Sequence, residues 1–194
     1  MTTRRSWLMG IGSVALAGSL AGCASAPTRY YRLAAVPGPI EPGVTAHISV
    51  RSISIPSYLN ADGIAKPGGA YQYTSFPNAL WASPLADLLQ SVMVQDLAQR
   101  LPQAVVIGAG GAIGVPADRI VEINVLRFDP AASGELTLIA QASVRSPDAG
   151  AAGLTRSIRL SAPCSAVPAD IAAVMSKLWG QAADVLAQAV AEQR

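Results

Sequence analysis

The sequence predicts an α+β fold: a mixed, mainly antiparallel sheet with two amphipathic helices packed on one face, a two-layer sandwich. Three observations lead there. Leu136, Leu138, Ala140, Ala142 and Val144 alternate with mostly polar neighbours, the two-residue period of a strand with one wet face. From Pro168 to about Gln193, Ile171, Val174, Met175, Leu178, Ala182, Val185, Leu186 and Ala189 recur at helical spacing, with Asp170, Lys177, Asp184 and Gln188 on the other side. The order strands, helix, strands, helix is that of helices segregated to one side of a sheet.

Taken in order, "YYRL" (Tyr30–Leu33) reads as a first strand, and the three prolines and two glycines of "AAVPGPIEPGV" as a loop. In "HISVRSISIP" (His47–Pro56), Ile48 and Val50 share one parity and Ile53 and Ile55 the other. A bulge or bend is therefore expected at Arg51-Ser52, and Pro56 ends the run. "GIAKPGGAYQYTSF" reads as one or two short edge strands around a Gly-rich turn, because Pro67 cannot donate to a central ladder. A helix is expected from Ser83-Pro84, with serine as cap, proline at the first helical position and Asp87 near the positive dipole end. Leu85, Leu88, Leu89, Val92 and Met93 form its buried stripe, and Leu101-Pro102 stops it. Asp96 and Arg100 fall close to that stripe, four residues apart and able to pair, so the second half of the helix is expected to be partly exposed. "AVVIG" is a short strand and "GAGGAIGVP" a connection; "RIVEINVLRF" (Arg119–Phe128), apolar on both faces, reads as a central strand. "DPAASG" turns the chain into "ELTLIAQASVR", and "GLTRSIRL" repeats the alternation with Leu154, Ile158 and Leu160.

The first 22 residues read as a lipoprotein signal peptide. Arg4 and Arg5 form a basic n-region, an apolar run extends from Trp7 to Leu20, and "LAGC" (Leu20–Cys23) follows. Only small side chains fit beside the cut that precedes an acylated cysteine, so Cys23 is the expected lipid attachment site, and the run is short for a transmembrane span. "TRRSWLM" also has the shape of a twin-arginine signal with Trp7 in place of phenylalanine; that route and ordinary secretion both stay open. Alanine rather than aspartate at position 24 favours, by analogy with lipoprotein sorting, the periplasmic face of the outer membrane over the inner one. Residues 23–29 are then a membrane tether and residues 30–194 a single domain, long enough for a core. Losing Arg4 and Arg5 from 14 Lys+Arg leaves the mature chain balanced against 12 Asp+Glu. A formally neutral chain gives no electrostatic footprint for nucleic acid. With Cys23 acylated, Cys164 has no partner for a disulfide and reads as a small buried residue.

The residues hold little that points to catalysis. His47, the one histidine, lies on a strand without the partners a metal site or a nucleophile–base pair requires. Carboxylates are sparse, and none are spaced as an evident acid–base pair. In "GAGGAIG" (Gly108–Gly114) the third glycine falls one place late for a dinucleotide loop, and a strand follows where phosphate binding needs a helix N-terminus. A surface loop is the expected reading. No enzyme activity, cofactor or metal is expected. The last helix lacks the Lys/Arg-rich polar face of a membrane-surface helix, so its apolar stripe is read as a core face.

"IPSYLNADGIA" (Ile55–Ala65), "ALWASPLADLL" (Ala79–Leu89) and "QDLAQRLP" (Gln95–Pro102), with "RYYRL" after the lipobox, "INVLRFDPAASGELTLIAQASV" and the closing helix containing Trp179, resemble the PqiC-like auxiliary lipoproteins of MCE/ABC-type transport systems. The resemblance covers nearly all of the mature chain; the 107–116 glycine loop and Cys164 have no counterpart in it. It implies a non-catalytic, acyl-anchored periplasmic component of a system carrying lipids or other hydrophobic molecules, which docks or assembles the trans-envelope conduit at the outer membrane. Implied partners are an MCE-domain protein, a permease and the membrane itself, with room for a homo-oligomer. The alternative is a periplasmic carrier that binds lipid in its own apolar cavity. Tyr58, Leu59, Trp81, Pro84 and Leu85, from the two most specific motifs, are the candidate interaction or structural residues. Trp81 is expected to fix how the helix enters the fold; direct contact with a partner or lipid is the other reading.

Overall fold

The computed structural model describes residues 26–69, 71–148 and 153–193. Among them the chain forms β1 (Arg29–Tyr31), β2 (His47–Val50), a 3-10 turn (Ser57–Asn60), β3 (Gly63–Lys66), β4 (Thr74–Trp81), α1 (Leu85–Arg100), β5 (Val105–Gly108), β6 (Arg119–Pro130), β7 (Glu135–Arg145), β8 (Leu154–Pro163) and α2 (Pro168–Glu192). The expected α+β class holds, and both helices pack on one face of the larger sheet while touching each other. The strands, however, divide into two sheets. Five run in the order β5-β2-β6-β7-β8, parallel from β5 to β6 and antiparallel from β6 to β8. Three run in the order β1-β4-β3, with β1 parallel and β3 antiparallel to β4.

The larger sheet follows its hydrophobic pattern. Leu136, Leu138, Ala140, Ala142 and Val144 of β7 are buried under the helices. β6 is central, as its apolar run predicts. Its two-faced pattern has a local cause: the register shifts between Val125 and Arg127, which turns Leu126 outward and keeps both Val125 and Phe128 in the core. β2 ends at Val50, and the chain returns to β6 at an isolated Ser54–Asn124 bridge. The bend expected at Arg51-Ser52 is that excursion, and it carries Ile53 into the core despite its opposite parity. At β8 only Ile158 of the three expected apolar residues is fully buried, because β8 is an edge strand.

Two local expectations are corrected. α1 begins at Leu85, with Pro84 at the capping position in an extended conformation (ψ 134°) and without a side-chain cap. The Pro84 carbonyl accepts the Asp87 and Leu88 N–H groups at 3.0 and 3.1 Å. Ser83 therefore does not cap the helix. Nor are Asp96 and Arg100 an exposed part of α1: they are 0% and 1% accessible, while Gln95, Ala98 and Gln99 of the same half are exposed. They are covered by α2 and by the chain leading from β1 to β2, which the sequence marks only as a loop. The wide buried face of α2 has the same origin, since the sheet, α1 and this segment meet it from different sides. Trp179 is its centre: the indole N–H donates to the Leu89 carbonyl at 3.0 Å, and the ring lies 5.9 Å from that of Phe128.

Candidate functional site

The two sequence motifs meet where the small sheet hands the chain to α1. Tyr31 pairs with Trp81 across the β1–β4 ladder, the Ala82 N–H donates to the Tyr31 carbonyl (2.8 Å) and the Trp81 N–H to the Asp62 carbonyl (2.8 Å). With its backbone held on both sides, Trp81 buries its indole to 7% accessibility in the same core cluster as Leu59 and Leu85. Tyr58 is half-buried and rests edge-on against Tyr73 at 5.4 Å, while Pro84 is exposed. Leu59, Trp81 and Leu85 thus all belong to the buried core; Tyr58 packs against it half-buried, and Pro84 stays at the surface. Cys23, the proposed lipid site, lies outside the described residues.

A second cluster, not assembled by sequence reasoning, fixes the segment between β1 and β2 to the helices. Arg100 donates from Nε to the Asp184 carboxylate (2.6 Å), from Nη1 to the carbonyls of Val36 and Asp96 (3.0 Å each), and from Nη2 to the Gly180 carbonyl (2.9 Å). Asp96 accepts the Val36 N–H at 2.8 Å and lies 3.5 Å from the Arg100 guanidinium. Ser176 accepts the Ala34 N–H (3.1 Å), and the Arg100 carbonyl accepts that of Glu41 (2.7 Å). Gly38 runs so close that a Cβ there would overlap the guanidinium and the Asp184 carboxylate. Burial pushes the Asp96 carboxyl above its ordinary value, against the lowering effect of the Val36 N–H and Arg100. Among the described residues its Oδ2 has no hydrogen-bond partner. The visible signal was the Asp96–Arg100 spacing; the partners at 36, 180 and 184 come from distant chain.

The sheet face away from the helices is polar. Glu122 sits between Arg51 (2.9 Å) and Arg145 (3.1 Å), also accepting from Ser143 at 3.2 Å. The Arg145 hydrogen bond, first among several causes, holds its carboxyl below the usual range. Beside it an open depression of about 370 Å³ is lined by Arg51, Ser54, Asn124, Gln141 and Thr155 among others. Such a face can hydrogen-bond a partner. His47 meets Asp118 at 3.7 Å, both well exposed. Among the described residues no group of three or more His, Cys, Asp or Glu is placed to hold a metal ion. The glycine loop connects β5 to β6, with Gly110 at φ +85°, and Gln90 of α1 donates to the Ala109 carbonyl at 3.2 Å. A strand follows it, as expected. Cys164 is buried, and burial, reinforced by Asp170, pushes its thiol up to about 11. No helix among the described residues is long and apolar enough to cross a membrane.

Residues 31–187 match the model of the ABC-type transport auxiliary lipoprotein component family. The chain is 27% identical over 135 residues to the intermembrane transport lipoprotein PqiC of Escherichia coli (strain K12), covering 68% of this chain and 70% of the relative. The protein of the same name from Shigella flexneri matches equally. Among solved structures, an uncharacterised protein superposes with a TM-score of 0.69 at 21% identity, covering 84% of this chain and 98% of that one. A protein from Xanthomonas campestris superposes with a TM-score of 0.68 at 18% identity, covering 87% and 97%. These two likenesses show the fold.

Proposed function

Because the chain belongs to the family of ABC-type transport auxiliary lipoprotein components, we propose that it is the acyl-anchored periplasmic component of an MCE/ABC-type system for lipids or other hydrophobic molecules. In this reading it docks or assembles the trans-envelope conduit at the outer membrane. The observation that carries the proposal is the family match across residues 31–187, immediately downstream of a lipobox at residues 20–23. Acylation of Cys23 holds the domain at the bilayer, and a single short tether keeps it there. An MCE-domain protein and a permease are the partners. The family points to a non-enzymatic role, so the domain acts through its surfaces.

Two surfaces suit such a role. The polar face around Glu122, Asn124 and Gln141 is not covered by the helices. The ten-residue edge β8 has no neighbour on its outer side among the described residues, and an unpaired edge is a template for a second copy. Self-assembly belongs to the same proposal, and light scattering of the detergent-solubilised protein reads it.

The proposal is tested in a strain lacking the protein. Loss should sensitise the cells to detergents and hydrophobic antibiotics. The wild-type chain should restore the barrier, and Cys23→Ala, which cannot be acylated, should not. Full restoration by an unacylated Cys23→Ala protein would remove the anchor from the mechanism.

A further inference from the structure

The anchor proposed at Cys23 limits the distance between domain and bilayer. Ala26, where the described chain begins, is three residue steps from Cys23. An extended chain advances at most about 3.6 Å per residue, so the lipid surface lies within about 11 Å of Ala26.

The ladder supplies the direction. β1 runs parallel to β4, with Arg29 opposite Ala79, Tyr30 opposite Leu80 and Tyr31 opposite Trp81. The chain therefore enters β1 from the side on which β4 begins, and β4 begins at Thr74, immediately after Tyr71 and Tyr73. Other elements end on the same side. Gly68 bridges Ala131 in the β6–β7 turn, and Cys164, on the path into α2, donates its N–H to the Gly134 carbonyl of that turn at 2.8 Å. The C-terminal end of α2 is at the opposite side, where the Gln193 amide donates to the Val144 carbonyl at 2.9 Å.

The side nearest the anchor carries large apolar groups in water. Tyr71 is 104% exposed, Val167 on the approach to α2 is 53% exposed, and Tyr73, braced edge-on by Tyr58, is 38% exposed. A tyrosine exposed to that degree contributes no core packing. At the boundary between headgroups and acyl chains its ring and hydroxyl both find partners, which is why tyrosine is enriched at membrane interfaces.

We propose that Tyr71, Tyr73 and Val167 form a membrane-docking end, which seats in the headgroup region of the bilayer beside the acyl anchor and sets the orientation of the domain. This rests on the reading of Cys23 as acylated. The opposite end, with the start of β2, the end of β7, the start of β8 and the end of α2, then points away from the membrane toward the conduit.

The test uses the acylated mature protein reconstituted in phosphatidylcholine vesicles with or without dibrominated acyl chains, which quench tryptophan on contact. Tyr71→Trp is compared with Thr45→Trp, an exposed position before β2 at the opposite end. The native Trp81 and Trp179 are buried and give a common background. The added fluorescence in Tyr71→Trp should fall at least twofold in brominated vesicles, while that in Thr45→Trp should hardly change. Equal quenching at the two positions in an anchored protein would overturn the docking end and leave the anchor standing. So would a blue-shifted Tyr71→Trp emission indifferent to bromine, the sign of a second protein copy over the tip. A protein that lacks the acyl mass and does not float with the vesicles would refute the anchor, and the docking end would fall with it.

Discussion

Arg100 shows how a single residue can hold distant chain together. Its four hydrogen bonds reach α1, α2 and the segment between β1 and β2, and at 1% accessibility it has no water to fall back on. Arg100→Met should destabilise the domain by about 3–5 kcal/mol, the usual effect of removing one partner from a buried ion pair. The pH dependence has a definite sign. Burial raises the Asp96 carboxyl above its ordinary value, so the folded chain holds that proton more tightly than the unfolded chain. Asp96 therefore favours the fold while protonated, and this contribution is lost as pH rises through its raised folded value. Without Arg100 the raising effect is larger. The gap between Arg100→Met and wild type in urea denaturation should thus narrow from about pH 7 to about pH 5; a constant gap would contradict this assignment. Cys164 offers an independent check. With its thiol pushed up to about 11, it should carry roughly a few hundredfold less thiolate at about pH 8 than a free cysteine. Iodoacetamide should label it quickly only after unfolding. Its burial was legible from residue type. The environment of Arg100 was not, because the i,i+4 spacing to Asp96 looks the same on a wet helix face as on a buried one.

At the level of elements, Trp81 decides how β4 passes into α1. Its indole is buried and its backbone tied to Asp62, so Trp81→Ala should cost about 3–5 kcal/mol of stability through lost burial and a residual cavity. Pro84→Ala, at an exposed position that caps through its backbone carbonyl and not its side chain, should change stability by no more than about 0.5 kcal/mol. Thermal melts of both variants read the difference; equal effects would mean that the motif acts elsewhere than in this junction. β7 and α2 were legible almost to the residue, because each has a buried face long enough to express its period. β6 was legible as central, although its bulge at Leu126 was not separable from a strand buried on both sides. The pairing of β1 with β4 was hidden, since a three-residue strand carries no pattern that names a partner some fifty positions away. The helix start was misread by one residue because Ser-Pro is a good cap signal, while here Pro84 itself takes the capping position with an extended ψ.

For the whole molecule, the resemblance read from "PSYL" and "WASPL" proved a better guide to family than to contact surface. The motif residues that are buried belong to the core, whereas the surfaces proposed for docking, the polar sheet face and the Tyr71–Tyr73 end, carry no motif. Surfaces tolerate substitution more readily than a packed core does, and a single sequence does not mark which exposed residues meet a partner. On the proposed role the domain has a polarity: the described chain enters β1 from the side on which β4 begins, the side of the exposed Tyr71 and Tyr73, and the opposite end would meet the conduit. The most direct measurement is affinity purification of the acylated, C-terminally tagged protein from its native envelope in mild detergent, followed by mass spectrometry. An MCE-domain protein and its permease should be enriched over a control lacking the tag. Their absence, together with a normal envelope barrier in the deletion strain, would contradict the proposed place of this protein in a transport system.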